Sequence, residues 1–385
     1  MSENDEAVNY TINSWEDLSI NPLLLRGIYA YGFESPSPIQ KKSILPILKG
    51  KDVIAQAQSG TGKTACFAIS SIELVDTTIQ TTQAIIMSPT RELSSQIKNV
   101  VDALAINISN FKSQLLVGGT YTENDITTLK EDLPHIIIGC PGRIYDILRR
   151  KHINLESIKL LILDEADEML SSGFKDQVYN IFDLLPTNIQ KALFSASMPT
   201  AINELTSKFV TNPIKIIVKS EQLTLEGIKQ YFVNLENDAM KYETLKDLFS
   251  TFSVAQCIIY CNSVTRVSDL YEAMNSDGYP VCLIHSNLDK STRQTNYDDF
   301  RRGKFRVLIS SNVTARGIDI QQVSTVINFD IPKCVHAYLH RIGRSGRWGR
   351  KGVAINFITR RDYKQLKDIE QFYQTNIMEL PEDYK

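Results

Sequence analysis

The sequence predicts an α/β protein built from two tandem, doubly wound parallel-sheet domains joined by a short linker. Apolar runs that end in small or polar residues recur early in the chain as VIAQAQSG, AIIMSPT, IIIGCPG, LLILDEAD and KALFSAS, with amphipathic helical stretches between them. Each run reads as a strand buried on both faces whose carboxyl end opens into a loop, the layout of an open parallel sheet. After the weakly patterned stretch 219–227 the same grammar restarts with CIIYCNS, VCLIHSN, VLISSN, TVINFD and VAINFIT. A chain of 385 residues, 43% of them hydrophobic, also exceeds the size at which single cores stop growing. The expected divisions are a polar tail at 1–13, a first domain at 14–218, a linker at 219–227 and a second domain at 228–385.

The opening stretch MSENDEAVNYTIN lacks the apolar core of a secretory signal, and no later run reaches the length of a membrane span. The expectation is a soluble cytoplasmic protein with no membrane partner. Cys66, Cys140, Cys257, Cys261, Cys282 and Cys334 are scattered, with no C-x-x-C pair, and read as reduced core thiols. A net charge of −2 argues against a diffuse polyanion binder. The basic excess is concentrated in Arg293–Arg306 and Arg341–Lys351, so any contact with a polyanion is focused.

Ligands of open α/β sheets collect outside the carboxyl ends of the strands, and the unusual residues of this chain lie there. The stretch Ala57, Gln58, Ser59, Gly60, Thr61, Gly62, Lys63, Thr64 follows the strand-like VIAQ and precedes the apolar helix ACFAISSIELV. Its glycines free backbone N–H groups to cradle phosphates at a helix N-terminus; Lys63 would reach the β and γ phosphates and Thr64 would offer its hydroxyl to Mg²⁺. The general phosphate-loop pattern has Gly where this chain has Ala57.

The second focus is LLILDEADEML, where four aliphatics break without a spacer into Asp164, Glu165, Asp167 and Glu168. Carboxylates at the end of an apolar strand need a positive partner, and a hard divalent cation is one. Alone, the run is equally a helix whose acidic first turn complements its dipole. Beside a phosphate loop, Asp164 reads as the carboxylate holding Mg²⁺ through water and Glu165 as the base that orients the attacking water.

Arg341, Arg344 and Arg347 in HRIGRSGR fall three apart, which would align them on one helical face and aim them at phosphate; a solvated basic face or salt bridges are the competing reading. Gln40 in GFESPSPIQ could pair with adenine and Phe33 could stack on it, although a Gln near a Pro-rich turn is more commonly a capping residue.

In order along the chain, GFESPSPIQ, AQSGTGKT, PTREL, the Gly118–Gly119 pair, PGR, DEAD, SAS, ARGID and HRIGRSGR resemble the signatures of the DEAD-box RNA helicases. The resemblance covers essentially the whole chain and implies two RecA-like domains, ATP and Mg²⁺ as cofactors, and RNA as substrate with little sequence specificity. It implies that Gln40 and Phe33 select adenine, that Asp319 contacts the ribose, and that Arg344 and Arg347 act as arginine fingers on the γ-phosphate. Pro89, Thr90, Arg91, Gly118, Gly119, Pro141, Gly142 and Arg143 resemble the first-domain RNA groove. Ser195 and Ser197 would hydrogen-bond toward Asp167 and relay the nucleotide state to the RNA grip; unaided, they read as hydroxyls capping the next helix.

The stretches LLRGIYAYGFE, DEADEMLSSGFKDQVYNIF, LTLEGIKQYFV and GRKGVAINFIT resemble the subgroup that unwinds messenger RNA in translation initiation. That subgroup implies a monomer working with a protein scaffold in the cytoplasm. Relatives in RNA surveillance, splicing-junction or ribosomal-RNA processing complexes imply instead an ATP-gated RNA clamp and a nuclear role. A processive DNA translocase is disfavoured by the GFESPSPIQ element. Departures from the family pattern are Trp15 at an isolated Phe position, Cys140 for Thr, Lys290 for Gln, and Ser311–Asn312 for Thr–Asp.

Overall fold

The computed structural model describes residues 10–381, apart from 58–60, 120, 172, 199, 219–227, 252–255, 312–322, 344 and 346–351. The chain divides into two compact units, residues 1–219 and 220–385. Strands of the first unit are β1 (Val53–Gln56), β2 (Ala84–Met87), β3 (Ser113–Leu116), β4 (Ile136–Gly139), β5 (Leu160–Asp164), β6 (Gln190–Ser195) and β7 (Ile214–Ile217). They form one parallel sheet in the order β3-β4-β2-β5-β6-β1-β7.

The second unit has β8 (Ile228–Leu235), β9 (Cys257–Tyr260), β10 (Val281–Ile284), β11 (Val307–Ser310), β12 (Thr325–Asn328), β13 (Gly352–Thr359) and β14 (Met378–Glu379). Its order, β10-β11-β9-β12-β13-β8-β14, repeats the first sheet's connectivity strand for strand, again all parallel.

Both faces of each sheet are covered, which explains the unbroken apolar runs. In β2, Ala84 and Ile86 join one core while Ile85 and Met87 join the core on the opposite face; Leu160 and Ile162 against Leu161 and Leu163 divide β5 the same way. In the second unit Ile258 and Tyr260 face one core and Cys257 and Ile259 the other. The strands that the sequence pattern missed are β3, β7, β8 and β14. β3 and β7 are four-residue edge strands of alternating burial, β14 has two residues, and β8 carries partly exposed positions, so none shows a continuous apolar run.

Five of the cysteines are buried, but Cys334 is exposed, which corrects the reading of all six as core thiols. Trp15 is buried, donates its indole N–H to the Phe33 carbonyl at 3.0 Å and lies 6.4 Å from the Phe33 ring. It therefore anchors the amino-terminal segment to the first unit and supports the backbone of Phe33. Among the described residues no helix is long and apolar enough to cross a membrane.

Candidate functional site

In the first unit the carboxyl ends of β1, β2, β4 and β5 lead into helices Lys63–Leu74, Arg91–Leu104, Pro141–Arg149 and Ala166–Ser171. One edge of the sheet thus gathers helix N-termini, whose amides and dipoles favour anions. Gly62 caps the Lys63–Leu74 helix at φ +96°, a conformation that side chains other than glycine's rarely adopt. A Cβ on Gly62 would also press on the Gln40 amide. Gln40 donates from Nε2 to the Gly62 carbonyl at 3.1 Å and accepts the Ser37 N–H at Oε1 at 2.7 Å. The Ser37 hydroxyl donates to the Thr61 carbonyl at 2.8 Å. The segment read as an adenine selector therefore also braces the phosphate loop, and Gln40 is buried in that role. Phe33 is half-buried with Tyr31 at 4.9 Å. Gln58, Ser59 and Gly60 lie outside the described residues, Ala57 is buried, and Thr64 is half-buried at the helix start.

The acidic run closes behind this loop. Lys63 Nζ lies 3.5 Å from Glu165 Oε1, with side chains 5% and 3% exposed. Burial works against the ammonium charge, but the fields of Glu165, Asp164 and Asp167 outweigh it and hold Lys63 protonated above the usual lysine range. Burial likewise pushes the Asp164 carboxyl up to about 7, against the pull of Lys63. Three buried carboxylates around one lysine leave an excess of negative charge, and this donor set suits a further cation. Glu165 stands at φ +53°, a left-handed conformation costing roughly 1–2 kcal/mol for a side-chain-bearing residue. Its N–H donates to Asp164 Oδ1 at 3.0 Å, and its carbonyl accepts the Glu168 and Met169 amides. These bonds hold the strained turn that takes the chain from β5 straight into the helix, the kind of stored strain found at functional sites.

Asp167 is tied to the end of β6. The Ser197 hydroxyl donates to Asp167 Oδ2 at 2.7 Å, joining the two motifs as expected. Ser195 differs from expectation, because its hydroxyl donates to the Ser197 carbonyl at 2.6 Å. A single O–H cannot donate twice, so Ser195 fixes the backbone that presents Ser197 and does not itself donate to Asp167.

The residues read as an RNA groove lie on neighbouring strand ends. Pro89 is buried, and Thr90 caps the Arg91–Leu104 helix by accepting the Leu93 N–H at 3.3 Å. The Arg91 guanidinium lies against the Gly118–Gly119 turn, where Gly119 has φ +81° and any Cβ would collide with it. At Gly142 a Cβ would meet no protein atom within 4 Å, so this glycine leaves an approach open that no internal contact requires. Pro141 starts the helix, as its preset φ favours. Arg143 forms a largely buried ion pair with Asp125 from helix Thr122–Glu131, a contact absent from the sequence reading. Cys140 occupies the N-cap of the Pro141–Arg149 helix without a side-chain cap bond, its thiol 3.7 Å from the Ser94 hydroxyl.

In the second unit Arg341 is the largest departure from expectation. Helix Val335–Ile342 carries Arg341 in its last turn and ends with Gly343 as its cap. Arg344, Arg347 and Asp319 lie outside the described residues. Arg341 is 0% exposed; it donates to Asn328 Oδ1 at 3.1 Å, the Asp330 carbonyl at 2.7 Å and Asn262 Oδ1 at 2.7 Å, and sits 5.2 Å over the Tyr260 ring. Burial lowers its pKa to about 10, which still leaves it charged. It therefore clamps the carboxyl ends of β9 and β12. Arg341→Ala should destabilise the second unit by about 3 kcal/mol, the scale of removing one partner from a buried charged network, and urea unfolding followed by circular dichroism would read this.

Sequence reasoning missed other polar groups at the same end of this sheet. Asp330 accepts two 2.7 Å bonds from Arg266 and one of 3.1 Å from Lys241. The buried Ser311 hydroxyl, just past β11, has no hydrogen-bond partner among the described residues, and His285 follows β10, its pKa lowered by burial and by Arg293. Asp330, thirteen to fourteen residues past Arg316–Gly317, carries no local motif, and only the fold brings it to Arg266.

Two parallel sheets of one connectivity, with a phosphate loop and a buried DEAD cluster at the strand ends of the first, define a nucleotide-hydrolysing helicase class. Comparison with known families agrees: residues 37–205 match the DEAD/DEAH box helicase model and residues 240–349 the helicase conserved C-terminal domain. The chain belongs to the DEAD/DEAH box helicase family. It is 48% identical to the ATP-dependent RNA helicase eIF4A of Scheffersomyces stipitis over 97% of this chain and 93% of that protein. Identity to the eIF4A of Lodderomyces elongisporus is also 48%, with the same coverage. Among solved structures, S. cerevisiae Dbp5 bound to RNA and ADP BeF3 superposes with a TM-score of 0.89 at 36% identity, covering 97% of this chain and 96% of that one. Mss116p bound to single-stranded RNA and AMP-PNP gives 0.86 at 26% identity, covering 96% and 79%.

Proposed function

We propose that this protein is an ATP-dependent RNA helicase that opens short duplexes in messenger RNA during translation initiation. The observation that carries the reading is the buried Lys63, Asp164, Glu165 constellation directly behind a phosphate loop. Lys63 would hold the β and γ phosphates, and Glu165 would orient the attacking water and take its proton. Mg²⁺, held by Asp164 through water and by the Thr64 hydroxyl, would supply neutralisation of phosphate charge when bound. Gln40 and Phe33 would read adenine, Asp319 the ribose, and Arg344 with Arg347 the γ-phosphate.

Pro89–Arg91, Gly118–Gly119 and Pro141–Gly142 would meet RNA phosphates and 2′-hydroxyls, which favours RNA over DNA with little base preference. Arg143 would support this groove by fixing its helix. The bond from Ser197 to Asp167 would couple nucleotide state to RNA grip. The relatives named eIF4A support a place in translation initiation and, with it, a cytoplasmic location; the chain would act there as a monomer with a protein scaffold as partner.

The test is displacement of a short RNA strand by the isolated chain. Strand release with ATP, and none with a non-hydrolysable analogue, is the expected outcome. Stable ATP-dependent RNA retention with no release would mark an ATP-gated clamp of the kind used in RNA surveillance, splicing-junction or ribosomal-RNA processing complexes.

A further inference from the structure

We infer that Tyr121 is a stacking platform for an RNA base at the edge of the first-unit groove; the inference rests on the groove reading above. Tyr121 is 83% exposed, more than any other large apolar or aromatic side chain among the described residues. It occupies the N-cap of helix Thr122–Glu131 and makes no side-chain cap bond. That position favours Ser, Thr, Asp or Asn, whose side-chain oxygen takes up an amide of the first turn; an aromatic ring forgoes this stabilisation. A ring left in water also gains nothing from burial. The chain thus places tyrosine where neither capping nor packing favours it. A local rule broken without structural gain points to function.

The location says which function. Two residues earlier, Gly119 stands at φ +81° with the Arg91 guanidinium laid against the Gly118–Gly119 turn. Tyr121 thus follows, two residues on in the chain, the glycine pair assigned to the RNA backbone, with its side chain open to solvent. Glu123 in the first turn of the same helix disfavours a phosphate at this helix end. What the segment offers is a flat π face, not charge. Base stacking on an aromatic side chain tolerates sequence and contributes about 5- to 150-fold in affinity per base. This matches a groove that grips phosphates and sugars and leaves bases turned outward.

The test exploits the opposite signs of capping and stacking. Tyr121→Asn restores a capping side chain, so the melting temperature should hold or rise. Affinity for a fluorescein-labelled single-stranded RNA, measured with a non-hydrolysable ATP analogue, should fall by about 5- to 20-fold, at the lower end of the stacking range. KM for RNA in the ATPase assay should rise far more than kcat changes. RNA carrying 2-aminopurine should be quenched on binding by the wild type and by Tyr121→Trp, and much less by Tyr121→Asn.

Gly142→Gln serves as a separate probe of the groove, because the fold accommodates a side chain there. If Gly142→Gln weakens RNA binding while Tyr121→Asn alters neither KM nor quenching, the stacking role is overturned and the groove stands. If neither variant alters RNA binding, the groove assignment falls and this inference falls with it.

Discussion

Glu165→Gln should slow ATP hydrolysis by about 10²- to 10⁴-fold, the range a positioned general base contributes. Glutamine has the size of glutamate and keeps an oxygen toward Lys63, which lies 3.5 Å from Oε1 in the native site. It also keeps the backbone bonds that hold the left-handed turn, since those come from the main chain of residue 165 and from Asp164 Oδ1. What it lacks is a basic carboxylate. The site also loses one negative charge, so the affinity for anionic nucleotide should hold or increase. Single-turnover hydrolysis together with equilibrium binding of a fluorescent ATP analogue separates the two quantities. Hydrolysis at the wild-type rate would remove Glu165 from the chemistry.

Lys63→Ala carries the second large effect, on binding and on stability together. The ammonium is the cation of the buried Asp164, Glu165 and Asp167 cluster, and truncating one side of a buried charged pair costs about 2–5 kcal/mol. Nucleotide affinity should therefore fall by roughly 10²- to 10³-fold. The stability loss has a pH signature. Asp164 already titrates at about 7 in the folded chain, because burial raises it above its unfolded value.

Removing Lys63 takes away the opposing pull and raises the folded value further. Between the unfolded and the folded pKa the native state binds more protons than the unfolded state, so stability declines as pH rises through that window. The melting temperature of Lys63→Ala should accordingly fall further below wild type at pH 8 than at pH 5.5. An equal deficit at both pH values would mean that Lys63 does not counter the carboxylates.

The phosphate loop and the acidic run were legible because each is contiguous: a strand, a loop and a helix start follow one another in a dozen residues, and the chemistry travels with them. Asp167 and Ser197 are thirty residues apart, and only the resemblance to a family joined them before the β5–β6 pairing did so in space. Arg341 shows the limit of spacing. A repeat of three marks a helical face, but it does not say which face is buried or where the helix stops. Here the helix stops at Ile342 and the guanidinium turns into the core to satisfy Asn262, Asn328 and the Asp330 carbonyl. Arg143 was named only through its resemblance to an RNA groove, and its ion pair with Asp125 was not visible because the partner comes from the preceding helix and no local pattern links them. Gln40 was read for its amide's match to adenine, and its second task against the Gly62 carbonyl emerges only once two segments meet.

The most direct test of the account is the steady-state ATPase rate of the intact chain without nucleic acid, with single-stranded RNA, and with DNA of the same sequence. A site that hydrolyses ATP in step with a grip on phosphates and 2′-hydroxyls predicts a rate that rises with RNA and stays near basal with DNA. A rate indifferent to RNA, or raised more by DNA, would contradict it.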